Sequence, residues 1–179
     1  GFDFPVGDAD ANGPYVGTDG RRHEGWYVAT RFGESYALGT HTGEDWNGRG
    51  GGDSDLGQPV RAIGAGKVVA AAVTEDPWGG VVVVEHFFYE NQQRRRVVSL
   101  YAHLSRIDVR SGSLVKRREV LGAIGKDPQG RYPAHLHLEV RRDRELPATY
   151  WPSSHHRDLA WIRAHYEAPT DFISSRRQL

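Results

Sequence analysis

Four consecutive valines, Val81–Val84, are the feature that most limits the folds open to this chain. Their β-branched side chains suit a pleated strand, and an unbroken apolar run favours a strand buried on both faces. Residues 81–86 are predicted to pair with residues 96–103 across a polar stretch, and residues 136–141 form a further strand. Residues 59–63 and 67–73, separated by Gly-Ala-Gly, have the pattern of a hairpin. The sequence therefore predicts a β-rich domain with little helix.

The length of the chain, 179 residues and 20.0 kDa, suits a single domain, with residues 1–179 forming one unit. Its core is predicted at about residues 36–142. Residues 1–35, rich in Gly and Asp, are interpreted as an N-terminal embellishment of loop and short strand. Residues 143–179 are a C-terminal embellishment in which Ser153 or Ser154 caps a short helix that runs to about Tyr166 and is ended by Pro169.

Composition excludes several classes of function. Lys plus Arg and Asp plus Glu both number 23, and this balance argues against a dedicated nucleic-acid binder. No apolar run approaches the roughly 18–20 residues of a membrane span. The absence of cysteine excludes disulfides, thiolate zinc sites and a cysteine nucleophile. Nine histidines make a site of histidines and carboxylates the first chemistry to consider.

His135 and His137 form a His-x-His pair on a predicted strand. Residues i and i+2 of a strand share one face, so the two imidazoles point together while Leu136 and Leu138 point to the core. Two adjacent imidazoles can both bind zinc, or can divide the work between metal ligand and acid or base. A polar, solvent-facing side of an edge strand is the alternative interpretation.

His41, Asp45 and His103 complete the set of candidates. Gly43, between the first two, allows the chain to bend so that both side chains aim at one point. Alone, the His41–Asp45 pair is weak evidence for a metal site and is more typical of a surface turn. His103, at a strand end, is by itself more typical of a core histidine. Together they matter, because two histidines and an aspartate leave a fourth zinc position open for water. Two spare histidines can then act as general base and as stabiliser of an oxyanion.

Four motifs, in this order and spacing, resemble those of the lysostaphin-type zinc metallopeptidases, bacterial endopeptidases that cut peptidoglycan. They are HTGED at residues 41–45, GQPVRAIGAGKV at 57–68, YAHL at 101–104 and HLHLE at 135–139. The resemblance covers about residues 36–142. It implies a compact antiparallel β-sheet core with groove-lining loops, and a groove that holds the active site.

The resemblance also implies roles for individual residues. His41, Asp45 and His137 become the ligands of one zinc ion, and His103 and His135 become the catalytic histidines. Two further interpretations come from the residues themselves. Trp46 and Trp78 lie beside the predicted groove and are candidates for contact with substrate, although such aromatics are more often core residues. Glu139 shares the strand face of His135 and His137, and it is either a partner of a zinc ligand or a surface residue.

The implied function is zinc-dependent hydrolysis of peptide bonds in peptidoglycan stem peptides or cross-bridges. The implied partners are peptidoglycan peptides, and the implied location is outside the cytoplasm, with a signal peptide removed. The alternative is a non-catalytic member that binds peptidoglycan or regulates another wall enzyme. Such members usually lose ligands, and none is missing here. A biotinyl or lipoyl carrier, suggested by residues 60–69 and 115–125, leaves the histidines unexplained.

Three departures from the family pattern concern loops. The segment between Asp45 and Pro59 is long and glycine-rich, and Ala134 and Arg118 stand where glycine is common. These differences affect the walls of the predicted groove and leave the predicted metal ligands intact.

Overall fold

Strands dominate the computed structural model, which describes residues 1–36, 39–74, 77–142, 146–147, 150 and 158–178. The described elements, in chain order, are β1 (Pro14–Val16), β2 (Arg22–Glu24), β3 (Trp26–Thr30), β4 (Ser35–Tyr36), β5 (Gly39–Thr40), β6 (Glu44–Gly48), β7 (Pro59–Arg61), β8 (Gly66–Val73), β9 (Gly80–Glu90), β10 (Gln93–Ile107), β11 (Leu114–Val115), β12 (Val120–Ile124), β13 (Leu136–Arg141), α1 (Leu159–His165), β14 (Tyr166–Glu167) and α2 (Pro169–Ser175). The prediction of a mainly β fold is confirmed.

One antiparallel sheet contains ten strands of the described part of the chain. Its main path runs β11-β8-β9-β10-β13-β6-β3, with β12, β7 and β14 attached at its sides. Val81–Val84 lie in β9 and are at most 1% exposed, with alternate valines packed into two hydrophobic clusters on the two faces. The predicted pairing of residues 81–86 with 96–103 is found between β9 and β10.

The predicted hairpin of residues 59–73 is wrong. β7 pairs with β12, and β8 pairs with β9 and β11. Side chains from β9 and β10 hold the turn between β7 and β8. The Ile63 N–H donates to the Tyr101 hydroxyl, and the Ala65 carbonyl accepts from His86. Hydrogen bonds to distant strands and side chains therefore replace the local ladder that the sequence pattern favoured.

The N-terminal part of the chain packs on the sheet. β3 is hydrogen-bonded to β6 at one edge, and the guanidinium of Arg118 donates to the Phe4 and Gly7 carbonyls of the N-terminal segment. Arg118 adopts a φ of 69°, the left-handed conformation that glycine adopts most readily, which agrees with the glycine expected there from the resemblance. The division of the chain at residues 36 and 142 stays a prediction.

Two short helices are described near the C-terminus where one was predicted. α1 begins after Asp158, whose side chain accepts from the Trp161 N–H at 2.8 Å, while the proposed caps Ser153 and Ser154 lie outside the described residues. Pro169 starts α2 instead of ending a helix, since proline at the first helical position loses no hydrogen bond. No helix in the described segments has both the length and the apolar character that crossing a membrane requires.

Candidate metal centre and its histidines

The register between β6 and β13 places Asp45 directly opposite His137. Leu136 and Leu138, on the other face of β13, are fully buried in the core. The predicted alternation along this strand is therefore present, with the imidazoles on the face that carries Asp45.

His41 reaches the same point from the loop between β5 and β6. Gly43 in this loop lies so close to β13 that an added Cβ would collide with the Leu138 carbonyl and the Glu139 side chain. Its φ is not in the left-handed region, so glycine is required here by close packing and not by an unusual turn.

Three potential ligand atoms converge where these elements meet. The Nε2 atom of His41 is 3.1 Å from Nδ1 of His137 and 3.1 Å from Oδ1 of Asp45, and the last two atoms are 2.9 Å apart. Zinc–nitrogen and zinc–oxygen bonds of 2.0–2.2 Å place tetrahedral ligands about 3.3 Å apart. The triangle formed by the three residues therefore has the size of one face of a zinc site.

The neighbours of the two histidines leave their lone pairs pointing at this triangle. The Arg31 carbonyl, 3.3 Å from Nδ1 of His41, can only accept a hydrogen bond, so Nδ1 carries the proton and Nε2 is free. The Glu139 carboxylate likewise accepts from Nε2 of His137 at 3.2 Å, which frees Nδ1. Three electron pairs facing one another require a cation between them, and the donor set fits zinc.

The same contacts shift the pKa values of His137 and Asp45. Burial by itself would lower the pKa of His137, but the hydrogen bonds to Asp45 and Glu139 raise that pKa to about 9. Burial would raise the pKa of Asp45, and its close contacts with His137 and His41 hold that pKa well below its usual range. In the metal-free protein a proton on His137 thus occupies the place that suits a metal ion.

Glu139 is fully buried, which excludes the surface role considered from the sequence. Its Oε1 atom accepts from Thr42 as well as from His137. Burial raises the pKa of Glu139, but the bond from His137, and further the Thr42 bond and the charge of Arg141, bring the net pKa below its usual value. An ionised acceptor thereby fixes the ring orientation of His137.

His103 lies at an irregularity in β10, where the strand changes partner from β13 to β12. Its φ is 62°, its N–H donates to the Trp78 carbonyl at 2.9 Å, and its carbonyl accepts from Gly125 at 2.7 Å. This left-handed residue brings the imidazole to 4.6 Å from the ring of His135. Burial, and next the neighbouring His135, lower the pKa of His103 well below its usual value.

His135 points its Nε2 atom toward the centre, 3.7 Å from Oδ1 of Asp45. Its Nδ1 atom donates to the Pro133 carbonyl at 2.9 Å, so the lone pair is on Nε2. Burial lowers the pKa of His135, against the opposing influence of Asp45. A neutral imidazole with its acceptor atom beside the metal position is a suitable proton acceptor.

The two tryptophans predicted to line the groove have different places. Trp78 is half-buried, its ring parallel to that of His103 at 6.3 Å and edge-on to His137 at 5.6 Å. Trp46 lies instead in the core, 5% exposed and packed against Phe4. Because side chains alternate along a strand, the residue after Asp45 must face away from the centre.

Tyr132 is a site residue that the sequence analysis missed. Its hydroxyl donates to the Pro77 carbonyl at 2.7 Å, and its ring lies 5.2 Å from His103 and 5.1 Å from His135. An aromatic residue three positions before His135, in the loop that leads to β13, was the available signal.

Comparison with known proteins agrees with this geometry. The family model described as peptidase family M23 matches residues 39–148. No curated protein matched the chain.

Among solved structures, lysostaphin from Staphylococcus simulans is similar with a TM-score of 0.54 and 23% identity over 84% of this chain, which spans only 50% of the lysostaphin chain. The catalytic domain of the prophage-encoded M23 protein EnpA from Enterococcus faecalis is similar with a TM-score of 0.52 and 21% identity. The match covers 82% of this chain and 94% of the EnpA chain. A chain in a structure of the SpoIIQ–SpoIIIAH pore forming complex is similar with a TM-score of 0.59 and 22% identity. The match covers 99% of this chain and 96% of that chain.

These structural likenesses show a common fold. The family match covers the strands and loops that carry His41, Asp45, His103, His135 and His137. The chain belongs to peptidase family M23.

Proposed function

We propose that this protein is a zinc-dependent endopeptidase that hydrolyses peptide bonds in peptidoglycan, in stem peptides or cross-bridges. The observation that carries the proposal is the convergence of three lone pairs, from His41, Asp45 and His137, beside two further histidines. Membership of a peptidase family supports a hydrolytic role for this arrangement.

His41, Asp45 and His137 would hold the metal. A zinc ion bound there would lower the pKa of a water molecule toward about 7 and polarise the scissile carbonyl. Glu139 keeps the ring of His137 in the ligating orientation, and the Arg31 carbonyl does the same for His41.

His103 and His135 would handle the protons and the developing charge. One of them accepts the proton of the attacking water, and the other donates a hydrogen bond to the carbonyl oxygen as it becomes negative. The proton then passes to the leaving amine. Their lowered pKa values favour the neutral form at neutral pH, as a general base requires.

Trp78 and Tyr132 would flank the bound peptide, since both contact His103 and both remain partly exposed. The substrate lies in the cell envelope, so we place the protein outside the cytoplasm, as a single peptidase domain with one zinc ion per chain.

The second candidate is a binding or regulatory protein that does not hydrolyse peptidoglycan. One observation favours it: the likeness to a chain of a pore forming complex extends over 99% of this chain. The complete set of ligand and catalytic candidates favours the enzyme.

The deciding experiment measures zinc by elemental analysis and follows peptidoglycan digestion by mass spectrometry. The protein is compared with Asp45→Ala, His135→Ala and the control Asp108→Ala, an exposed aspartate paired with Arg106. We expect about one zinc per chain and hydrolysis in the unmodified protein and the control. Asp45→Ala should lose both, and His135→Ala should lose hydrolysis alone.

Retained hydrolysis in Asp45→Ala would refute the ligand assignment. Zinc binding without hydrolysis of peptidoglycan in the unmodified protein would favour the second candidate.

A further inference from the structure

The β6–β7 loop, residues 49–58, is held by hydrogen bonds near both of its ends. Oδ2 of Asp55 accepts from the Gly48 N–H at 2.8 Å, and the Tyr15 hydroxyl accepts from the Gly50 N–H at 2.9 Å. Near its end, the Gly57 N–H donates to a β12 carbonyl at 2.8 Å. The loop is thus hydrogen-bonded to β1 and to the sheet, so the backbone that carries its side chains has a defined place.

The first contact comes from Asn47, near the end of β6, whose side chain extends the pairing of β6 with β13. The pairing of β6 with β13 stops at Trp46 opposite Leu136. One residue further, Nδ2 of Asn47 donates to the Ala134 carbonyl at 2.9 Å. The amide of Asn47 therefore takes the place of the next backbone donor.

The second contact is made by Asp53 and holds the N–H of Ala134. Oδ1 of Asp53 accepts from the Ala134 N–H at 2.9 Å, and its Oδ2 accepts from Nζ of Lys126 at 2.7 Å. Ala134 is fully buried, so its N–H and its carbonyl both require hydrogen-bond partners. Its N–H and its carbonyl are therefore held by two side chains, Asp53 of the β6–β7 loop and Asn47 of the preceding strand β6.

Ala134 lies between one catalytic candidate and the residue whose carbonyl orients that candidate. His135 follows it, and the carbonyl that binds Nδ1 of His135 belongs to Pro133, which precedes it. We infer that Asn47 and Asp53 are positioning residues for His135, acting through the backbone of Ala134. The inference rests on the proposed function for its catalytic consequence, but not for its structural one.

The zinc ligands are independent of this device. Asp45 and His137 lie on the paired part of β6 and β13, and His41 lies on a different loop. Loss of the Asp53 contact should therefore loosen the His135 ring and leave metal binding intact. Since small displacements of a reacting group cost large factors in rate, kcat should fall about tenfold or more with KM unchanged.

The test compares Asp53→Ala, Asp53→Asn and Lys126→Ala. Asparagine keeps an oxygen that can accept from the Ala134 N–H, while Lys126→Ala removes the ion pair and leaves that bond in place. Each protein, labelled with nitrogen-15 in histidine, is examined by NMR with and without zinc at one pH. Zinc content and steady-state kinetics are measured on the same samples.

In the unmodified protein the two ring nitrogens of His135 should have the well-separated shifts of a single tautomer. In Asp53→Ala these shifts should converge and kcat should fall, with zinc content unchanged. Asp53→Asn and Lys126→Ala should resemble the unmodified protein. If Asp53→Ala does not fold, Asn47→Ala is measured in its place, with the same expected result.

Unchanged His135 shifts in Asp53→Ala, or the same change in Lys126→Ala, would overturn the inference. If the unmodified protein hydrolyses nothing, the proposed function fails, and the NMR shifts still decide whether Asn47 and Asp53 orient His135.

Discussion

His86 and His137 are both buried histidines on strands of the same sheet, and their surroundings differ in charge. His86 bonds to two neutral groups, the Ala65 carbonyl at 2.9 Å and the Ser99 hydroxyl at 2.7 Å, and burial lowers its pKa to about 4. His137 lies between two carboxylates that, against its burial, raise its pKa to about 9. Burial alone therefore does not distinguish a structural histidine from a functional one.

The difference between the two regions is one of donors and acceptors. Around His86 each hydrogen bond has one donor and one acceptor. Nδ1 of His86 donates to the Ala65 carbonyl. The Ile63 N–H donates to the Tyr101 hydroxyl, which lies 3.0 Å from the Ser99 hydroxyl. Such a closed network is complete without a ligand.

Around His137 there are more acceptors than protons. Nε2 of His41, Oδ1 of Asp45 and Nδ1 of His137 meet within 3.1 Å. A cation resolves that mismatch, so the mismatch is the sign of a metal site. The predictions that follow test this distinction.

The largest effect is expected for His137→Ala. It removes a ligand atom from the centre, so zinc content should fall from about one per chain to background, and peptidoglycan hydrolysis should be lost. Elemental analysis beside His86→Ala, a matched loss of a buried imidazole, measures this. Stoichiometric zinc in His137→Ala would show that the mismatch is not a metal site.

For His86→Ala we expect the opposite pattern. The substitution leaves the Ala65 carbonyl and the Ser99 hydroxyl without this partner and opens a cavity, at a cost of about 3 kcal/mol in the free energy of unfolding. Urea unfolding at pH 7 measures the loss, and zinc content should not change. Unaltered stability would mean that the His86 network contributes nothing to the fold.

Glu139→Gln should weaken zinc binding without abolishing it. The amide replaces a charged acceptor by a neutral one at Nε2 of His137, so the Kd for zinc should rise about ten- to a hundredfold. Competition with a chelator measures the Kd, with the exposed Glu24→Gln as control. A Kd equal to that of the unmodified protein would remove Glu139 from the centre.

Asp55→Asn should give the smallest effect, and with a defined pH dependence. Asp55 is buried, as Asp45 partly is, but no hydrogen bond to its Oδ1 is found among the described residues, and burial raises its pKa to about 6. Its folded-state pKa exceeds the unfolded value, so its contribution is complete below about pH 4 and is lost as pH rises through about 6.

The amide keeps an acceptor for the Gly48 N–H and cannot ionise. Asp55→Asn should therefore be more stable by about 1 kcal/mol at pH 8 and no more stable at pH 4, because it removes only part of the cost of the buried charge. Unfolding at the two pH values measures this. An equal stability difference at both pH values would show that ionisation of Asp55 does not destabilise the fold.

Local patterns allowed a large part of the fold to be predicted. The valine run and the His-x-His alternation depend only on strand geometry, and both predictions are confirmed. The hairpin of residues 59–73 was wrong, because the partner of β7 is β12, whose residues lie some 60 positions further along the chain. A pattern within one segment carries no information about which distant strand will pair with it.

Prediction of the site shows the same division. Alternation along β6 and the position of Asp45 already favour the core for Trp46 over the groove, so its place could be predicted from the sequence. The sequence shows an aromatic residue close to His135, but it does not give the place of Tyr132. That place depends on where its loop lies relative to His103 and His135.

The sequence by itself determined the proposed donor set, two histidines and an aspartate with two more histidines, and the strand character of the segments that carry them. The tertiary structure alone decided that Nε2 of His41 and Nδ1 of His137 are the free nitrogens, because the Arg31 carbonyl and the Glu139 carboxylate hold the opposite ring atoms. It also decided that the lone pairs meet. Distances between atoms far apart along the chain are set by strand register and loop packing, which no local pattern contains.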